Sequence, residues 1–202
     1  MSCQAQNNQS YYSWEYDKME RFLSYWHQID QLRRLAPTTI LEVGIGNGFV
    51  SEYLRKKNIS VVTFDMEASL NPDVVGTVLQ LPFKDSAFDA VLCCEILEHL
   101  PYVSFIACLK ELARVRKRHF VISLPDREFA FPLRVGYSKK LFIIPRFMRR
   151  NFEINSMHQW EIGQWGLSSA RLIRQIRAAG LIVKNTYRIF ENPYHRFFVL
   201  VK

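Results

Sequence analysis

The sequence predicts one α/β domain over residues 1–202, in which a mostly parallel sheet is flanked by helices. The length is typical of a single domain. Short apolar runs alternate with stretches of helical periodicity between Thr39 and Leu124, as expected where helices connect parallel strands. Gly44, Gly46 and Gly48 fall in one turn after the first apolar run, where sheets of this kind bind ligands.

The chain begins with a polar stretch, residues 1–13, which we interpret as a loose tail. Apolar residues then recur at helical spacing until Pro37 ends the pattern. We predict an amphipathic helix over residues 14–36, whose apolar face packs against the core rather than forming a lid. The apolar positions are Met19, Phe22, Leu23, Trp26, Ile29, Leu32 and Leu35.

The later elements follow from the same patterns. Ser168 is a suitable N-cap for a helix that Gly180 ends. Asn192-Pro193 separates two apolar runs, which we expect to pair as an antiparallel hairpin that ends the sheet. The predicted strands are 39–43, 61–64, 90–94, 120–124, 182–190 and 197–201, and the predicted helices are 50–57, 103–115 and 168–179.

Residues 126–165 lack a clear period and are rich in aromatic, proline and basic residues. We interpret this segment as an insertion on the substrate side of the domain. Its basic residues favour a solvated face over three alternatives: an anionic-substrate pocket, an RNA groove and a membrane-surface helix. Pro132 and Pro145 shorten any helix there. The six basic residues are Arg134, Lys139, Lys140, Arg146, Arg149 and Arg150.

Composition narrows the class of protein. Hydrophobic residues form 49% of the chain, which excludes wholesale disorder. The polar start lacks the apolar stretch of a secretory signal, and no run approaches the roughly 20 apolar residues of a membrane span. The four cysteines fit neither a disulfide framework nor a zinc site, so we predict a cytoplasmic protein without a metal ion. The net charge of +8 favours acidic ligands, RNA or an anionic membrane surface.

The glycine turn follows the first strand and precedes a helix. Glycine permits a positive φ and a close approach of ligand to backbone, and the helix directs its first amides towards the site. A nicotinamide or flavin dinucleotide fits incompletely, because Phe49 stands where that fingerprint has its third glycine. Glu42 favours a cationic ammonium beside the loop, and Asp65 ends the second strand, where a carboxylate can accept hydrogen bonds from ribose hydroxyls. Adenosine carrying an amino acid suits both carboxylates.

Residues 39–125 resemble the class I S-adenosylmethionine-dependent methyltransferases, especially the small-molecule branch with the ubiquinone and menaquinone enzymes. The Glu-x-Gly-x-Gly-x-Gly loop at 42–48 is similar to the family's first motif, and Asp65 to its acidic second motif. Three further segments match in order: Leu-Pro-Phe with Ser-Ala-Phe-Asp-Ala-Val at 81–91, Glu-Ile-Leu-Glu-His-Leu at 95–100, and Lys-Glu-Leu-Ala-Arg-Val at 110–115. The resemblance implies a Rossmann-like, seven-stranded, mostly parallel sheet with an antiparallel last strand.

The resemblance also implies which residues hold S-adenosylmethionine. Asp65 would bind the ribose, and Met66 would lie against the adenine. Thr77 replaces the acidic residue that often meets the adenine amine, so its successors would supply adenine contacts. Cys94 and Glu95 would lie beneath the sulfonium. The residues expected around the methionine part are Glu42, Gly44, Ile45, Gly46 and Gly48, and those expected around the adenine include Val78, Leu79 and Gln80.

The implied activity is methyl transfer to a small-molecule acceptor, with S-adenosylhomocysteine as the product. We expect the acceptor under residues 126–165, with His99 and His158 as candidate general bases, since imidazole titrates near neutral pH. Either histidine could instead be a hydrogen-bonded structural residue. Two alternatives stay open: a cofactor-binding or RNA-associated protein with this fold but no catalysis, and an NAD-dependent oxidoreductase, which Phe49 and Glu42 disfavour.

Overall fold

The computed structural model describes residues 11–135, 138–144, 157–164 and 166–201. Within these ranges the chain forms four α-helices and nine strands, with short 3-10 turns at Ala68–Leu70, Leu97–His99 and Tyr102–Ser104. In chain order the elements are α1 (Met19–Leu35), β1 (Thr39–Val43), α2 (Phe49–Lys56), β2 (Ser60–Asp65), β3 (Val74–Val75), β4 (Phe88–Cys94), α3 (Phe105–Val115), β5 (Arg116–Pro125), β6 (Phe129–Val135), β7 (Ser138–Ile144), α4 (Ser169–Ala178), β8 (Ile182–Arg188) and β9 (His195–Val201).

Seven strands form the main sheet, in the order β3-β2-β1-β4-β5-β9-β8. The first five of these pair in parallel, and β9 is antiparallel to both β5 and β8. This confirms the predicted fold class, including the antiparallel last strand. The carboxyl ends of β1, β2 and β4 meet at one edge, which brings the segments after Val43, Asp65 and Cys94 together.

Helices cover both faces of the sheet because the strands alternate their apolar side chains between two layers. Leu41 and Val43 of β1 belong to the cluster that α3 and α4 cover, whereas Ile40 belongs to the cluster that α1 and α2 cover. In the same way, β4 sends Cys93 to the first cluster and Leu92 to the second. Packing in these two buried layers fixes the positions of β1 and β4, and so of the sheet edge where their carboxyl ends lie.

Helix α1 occupies the predicted region, but its packing differs from the prediction. Met19, Phe22 and Trp26 are 68%, 42% and 57% exposed, whereas Tyr25 and Gln28 are buried. The expectation that the apolar stripe packs on the core is therefore wrong for Met19, Phe22 and Trp26, whereas Leu23 does pack against it. The first half of the helix lies over a cavity, so its inward positions carry polar and amphipathic side chains.

The segment 126–165 contains structure that the sequence pattern did not indicate. Strands β6 and β7 pair as an antiparallel two-stranded sheet, in which Pro132 is paired with Leu141. Lys139 Nζ lies 2.6 Å from Glu191 Oε1, which ties this hairpin to the loop before β9. The predicted basic positions Arg146, Arg149 and Arg150 lie outside the described residues.

The end of the chain agrees with the prediction. The Ser168 side chain accepts a hydrogen bond from the Arg171 amide at 3.2 Å, and Gly180 follows α4 with φ +83°. Strands β8 and β9 form the expected hairpin, although β9 inserts between β5 and β8. None of the helices in the described ranges is long and apolar enough to cross a membrane.

Candidate active site

A cavity of about 630 Å³ opens at the carboxyl edge of the main sheet. The glycine loop, the ends of β2 and β4, helix α1 and the segment 157–159 line it. We divide it into a cofactor half, around the glycine loop and Asp65, and an acceptor half, around Glu95 and His99. The sequence-predicted residues that line the cavity are Glu42, Gly44, Ile45, Gly46, Asp65, Met66, Val78, Cys94, Glu95, His99 and His158, whereas Gly48, Leu79 and Gln80 do not.

The glycine loop needs its glycines for conformation as well as for space. Gly44, Gly46 and Gly48 have φ values of +86°, +54° and +75°, in the region that other L-residues rarely adopt. A Cβ atom at Gly44 would collide with the Ile96 side chain, and one at Gly46 would lie 3.2 Å from the Tyr16 hydroxyl. The loop therefore keeps bare backbone against the cavity.

Glu42 lies at the end of β1, beneath the loop. Its side chain is buried, and its Oε2 atom has no hydrogen-bond partner among the described residues. Burial raises the pKa of Glu42 to about 8, although Ser51 and Arg55 act in the opposite direction. The Glu42 carboxyl is therefore placed to gain from a cationic ligand group in the cavity.

Asp65 joins the end of β2 to the glycine loop. One carboxylate oxygen accepts a hydrogen bond from the Ile45 amide at 3.0 Å, and the other accepts one from the Glu67 amide at 3.0 Å. Each oxygen of a carboxylate has a further lone pair, so Asp65 can also accept hydrogen bonds from a diol. Thr77 and Val78 line the neighbouring wall with Met66.

The acceptor half begins at Glu95, which follows β4 with φ +54°. Its carboxylate accepts a hydrogen bond from Ser123 Oγ at 2.8 Å and lies 3.6 Å from His195 Nε2. His195, at the start of β9, also lines the cavity. Sequence reasoning missed His195 because it is remote in sequence from every matched motif.

Two histidines face each other beside Glu95. The rings of His99 and His158 are 4.9 Å apart in an edge-to-face arrangement. His99 Nδ1 lies 3.0 Å from the Met157 carbonyl oxygen, and His158 Nδ1 lies 2.7 Å from Glu161 Oε1. Burial lowers the pKa of His99, which favours its neutral form.

Two carboxyl groups surround this histidine pair. Burial, with Glu95 and Glu161 nearby, raises the pKa of Glu98 well above its usual range. Burial also disfavours the ionised form of Glu161, yet hydrogen bonds from His158, Tyr194 and Arg127 outweigh it and lower the pKa of Glu161. Tyr194 donates its hydroxyl to Glu161 Oε1 at 2.8 Å. Glu161 is therefore an ionised hydrogen-bond acceptor for His158.

The N-terminal wall was also missed by sequence reasoning, which interpreted residues 1–13 as a loose tail and α1 as core packing. The Tyr25 hydroxyl donates to Asn47 Oδ1 at 3.0 Å, and Asn47 Nδ2 donates to Asp17 at 3.2 Å. The Arg21 guanidinium lies 4.1 Å from the centre of the Tyr16 ring. Asn47 therefore fastens the N-terminal segment to the glycine loop. The wall residues are Tyr11, Tyr16, Arg21, Ser24, Tyr25 and Gln28.

Comparisons with known proteins bear on this site. Residues 41–122, which include the glycine loop, Asp65 and the Glu95–His99 segment, match the family described as "Methyltransferase domain". A ubiquinone biosynthesis O-methyltransferase of Pseudomonas paraeruginosa is 28% identical over 191 residues, covering 85% of this chain and 76% of that protein. These matches support a class I S-adenosylmethionine-dependent methyltransferase. S-adenosylmethionine is accordingly the cofactor of this methyltransferase.

Further relatives of the methyltransferase extend the comparison. An uncharacterised protein of Methanocaldococcus jannaschii is 32% identical over 124 residues, or 57% of this chain, and the match spans about half (53%) of that relative. Among solved structures, a methyltransferase of Aquifex aeolicus has a TM-score of 0.61 at 15% identity, covering 98% of this chain and 99% of its own. The 1,6-didemethyltoxoflavin-N1-methyltransferase of Burkholderia thailandensis has a TM-score of 0.60 at 16% identity, covering 92% and 79%. These structures share the fold.

Proposed function

We propose that this methyltransferase transfers a methyl group to a hydroxyl oxygen of a small aromatic acceptor. The observation that carries the proposal is that one cavity of about 630 Å³ extends from the glycine loop to the paired histidines His99 and His158. A cavity of this size suits a cofactor and a small acceptor together. The relatives named ubiquinone biosynthesis O-methyltransferase support oxygen as the atom methylated.

The cofactor half fits S-adenosylmethionine in its charges and shape. Glu42 supplies the buried carboxyl for the ammonium group, and Asp65 supplies the acceptor for the ribose hydroxyls. The bare backbone of Gly44 and Gly46 leaves room for the methionine part. Thr77 and Val78, rather than Leu79 and Gln80, line the wall expected to meet the adenine.

The acceptor half contributes orientation and proton transfer. When bound, S-adenosylmethionine supplies an activated methyl group next to a positively charged sulfur. A hydroxyl is a weak nucleophile until it loses its proton, so the protein needs a group that activates the acceptor oxygen. His99 and His158 have their Nδ1 atoms engaged by the Met157 carbonyl and by Glu161, which leaves Nε2 of each ring for the acceptor.

The walls of the acceptor half favour a flat ring. Tyr194 lines this half together with His99, and Met157 lies at its rim. Aromatic and thioether side chains pack well against the faces and edges of an aromatic acceptor. A phenol also loses its proton far more readily than an aliphatic alcohol, which suits activation by a histidine.

The test is a methyl-transfer assay with a panel of hydroxylated aromatic compounds, comparing His99→Gln and His158→Gln with His119→Gln, a histidine on β5 that does not line the cavity. We expect wild type and His119→Gln to turn over, and each cavity variant to lose about 10²-fold or more in kcat. Affinity for S-adenosylhomocysteine should stay unchanged. Unchanged turnover in the double His99/His158 variant, or methylation of RNA alone, would contradict the proposal.

A further inference from the structure

Glu98 is a buried carboxyl group without a visible partner. Its side chain is fully buried, and neither carboxylate oxygen has a hydrogen-bond partner among the described residues. His158 is the basic residue beside it: its Nε2 atom lies 4.0 Å from Glu98 Oε1, beyond hydrogen-bond distance. Buried carboxylates are normally paired, hydrogen-bonded or bound to a metal ion, because leaving them alone is costly. Both carboxyl oxygens of Glu98 are therefore available to a ligand.

Both neighbouring histidines are held in one tautomer. His158 Nδ1 lies 2.7 Å from Glu161 Oε1, and His99 Nδ1 lies 3.0 Å from the Met157 carbonyl oxygen, which can only accept. In the neutral form of each ring, Nδ1 then carries the proton and Nε2 has the lone pair that can bind a metal ion. Histidines that bind metal ions are fixed in the same way, by a carboxylate or a backbone carbonyl on the other ring nitrogen.

The three groups converge and are held in place before any ligand arrives. One ligand atom from each of Glu98, His99 and His158 lies within 4.8 Å of the others. The segments that carry them are joined by the Gln159 amide, which donates to the Glu98 carbonyl at 2.8 Å, and by Gln159 Nε2, which donates to the His99 carbonyl at 2.8 Å. Trp160 Nε1 adds a hydrogen bond to the Leu100 carbonyl at 3.0 Å.

We propose that Glu98, His99 and His158 bind one divalent transition cation in the acceptor half of the cavity. Two imidazole nitrogens and one carboxylate oxygen suit zinc, cobalt or manganese better than magnesium or calcium, which prefer oxygen ligands throughout. Glu95 stays outside this ligand set, because Ser123 and His195 already hold its carboxylate. This departs from the prediction of no metal ion, which rested on the absence of paired Cys-x-x-Cys motifs and of a His-Glu-x-x-His helix in the sequence.

The cation would leave coordination positions open towards the cavity, which both histidines line. If the proposed function holds, an acceptor hydroxyl can occupy such a position, and the cation then lowers the pKa of that hydroxyl. Its proton would pass to solvent water, and the oxygen would then form a bond to the methyl group as the bond from that methyl to sulfur breaks. The two histidines would in that case activate the acceptor as ligands of the cation instead of taking the proton themselves.

The test titrates untagged, chelator-treated protein with Zn²⁺ by calorimetry, and with Co²⁺ by its visible absorption. We expect one saturable site per chain, with Mg²⁺ binding far more weakly. Glu98→Gln and His158→Gln should each weaken Zn²⁺ binding at least about tenfold, whereas His119→Gln should bind like wild type. Retained binding of S-adenosylhomocysteine and an unchanged circular dichroism spectrum will show that the variants are folded.

Three results would overturn the cation site: no saturable Zn²⁺ binding to wild type, equal binding by Glu98→Gln and His158→Gln, or Mg²⁺ binding as tight as Zn²⁺. The titration needs neither cofactor nor acceptor, so it separates the two proposals. Zn²⁺ binding in a protein that methylates no hydroxylated compound would keep the cation site and refute the proposed function. Turnover of a hydroxylated aromatic compound without any Zn²⁺ binding would keep the proposed function and refute the cation site.

Discussion

The two halves of the cavity differ in whether backbone or side chains form most of their surface. The cofactor half is built around the backbone of one loop, which bears Gly44 and Gly46 and to which the Asp65 side chain is joined through the Ile45 amide. The acceptor half is made of side chains from remote segments, with His99, His158 and His195 converging from three parts of the sequence. The backbone of the glycine loop is thus the main feature for binding S-adenosylmethionine, and side chains are the main features for binding and activating the acceptor. Mutations in the two halves should therefore separate binding of the cofactor from turnover.

The largest effect on the cofactor half is expected at Gly44. Gly44→Ala would both strain a residue at φ +86° and push against Ile96, so we expect affinity for S-adenosylhomocysteine to fall at least about 100-fold, since these costs together reach a few kcal/mol. Gly180→Ala is the matched control, because Gly180 has φ +83° and open space around its Cβ position. Calorimetry should show wild-type affinity for the control. Equal losses in both variants would mean that backbone strain, and not the loop's contact with ligand, dominates.

A proton-linked effect of intermediate size is expected at Glu42, whose pKa of about 8 keeps it largely protonated at pH 7. An ammonium group beside it favours the ionised form, so binding of S-adenosylhomocysteine at pH 7 should release up to about one proton. Calorimetry in two buffers of different ionisation enthalpy measures this number. Glu42→Gln should release none, and the exposed-site control Glu52→Gln should behave like wild type.

The same pKa has a consequence for stability. Between the ordinary value of 4.5 and about 8, the folded protein holds a proton on Glu42 that the unfolded chain releases. The free energy of unfolding should therefore fall as pH rises through this window. The Glu42→Gln variant should show a flatter profile in denaturant titrations. A profile as steep as that of wild type would show that Glu42 does not titrate in this range.

The smallest effect is expected where the N-terminal wall meets the glycine loop. Tyr25→Phe removes the hydroxyl that donates to Asn47, and we expect a loss of about 2- to 10-fold in cofactor affinity, the usual worth of one neutral hydrogen bond. Tyr53→Phe, on the outer face of α2, is the control. A loss larger than that of Gly44→Ala would mean that the wall, more than the loop, organises the cofactor half.

The contrast between the halves also explains what the sequence could predict. The sheet, the glycine loop and Asp65 depend on local patterns: periodicity, and an acidic residue at a strand end. The acceptor half depends on tertiary convergence, so His195 and Tyr194 carried no local signal. The packing of helix α1 was mispredicted because Phe22 and Trp26 have the spacing of a buried helix face but are exposed. The β6–β7 hairpin was hidden because its strands include Pro132 and lack clear alternation.

The most direct test of the division into two halves is a calorimetric titration of wild type, Asp65→Ala and Glu98→Gln with S-adenosylhomocysteine. We predict micromolar binding to wild type, about −8 kcal/mol, and a loss of about 10- to 100-fold in Asp65→Ala, because hydrogen bonds to a charged acceptor are lost. Glu98→Gln should bind like wild type. Undiminished binding by Asp65→Ala, or an equal loss in Glu98→Gln, would contradict the account.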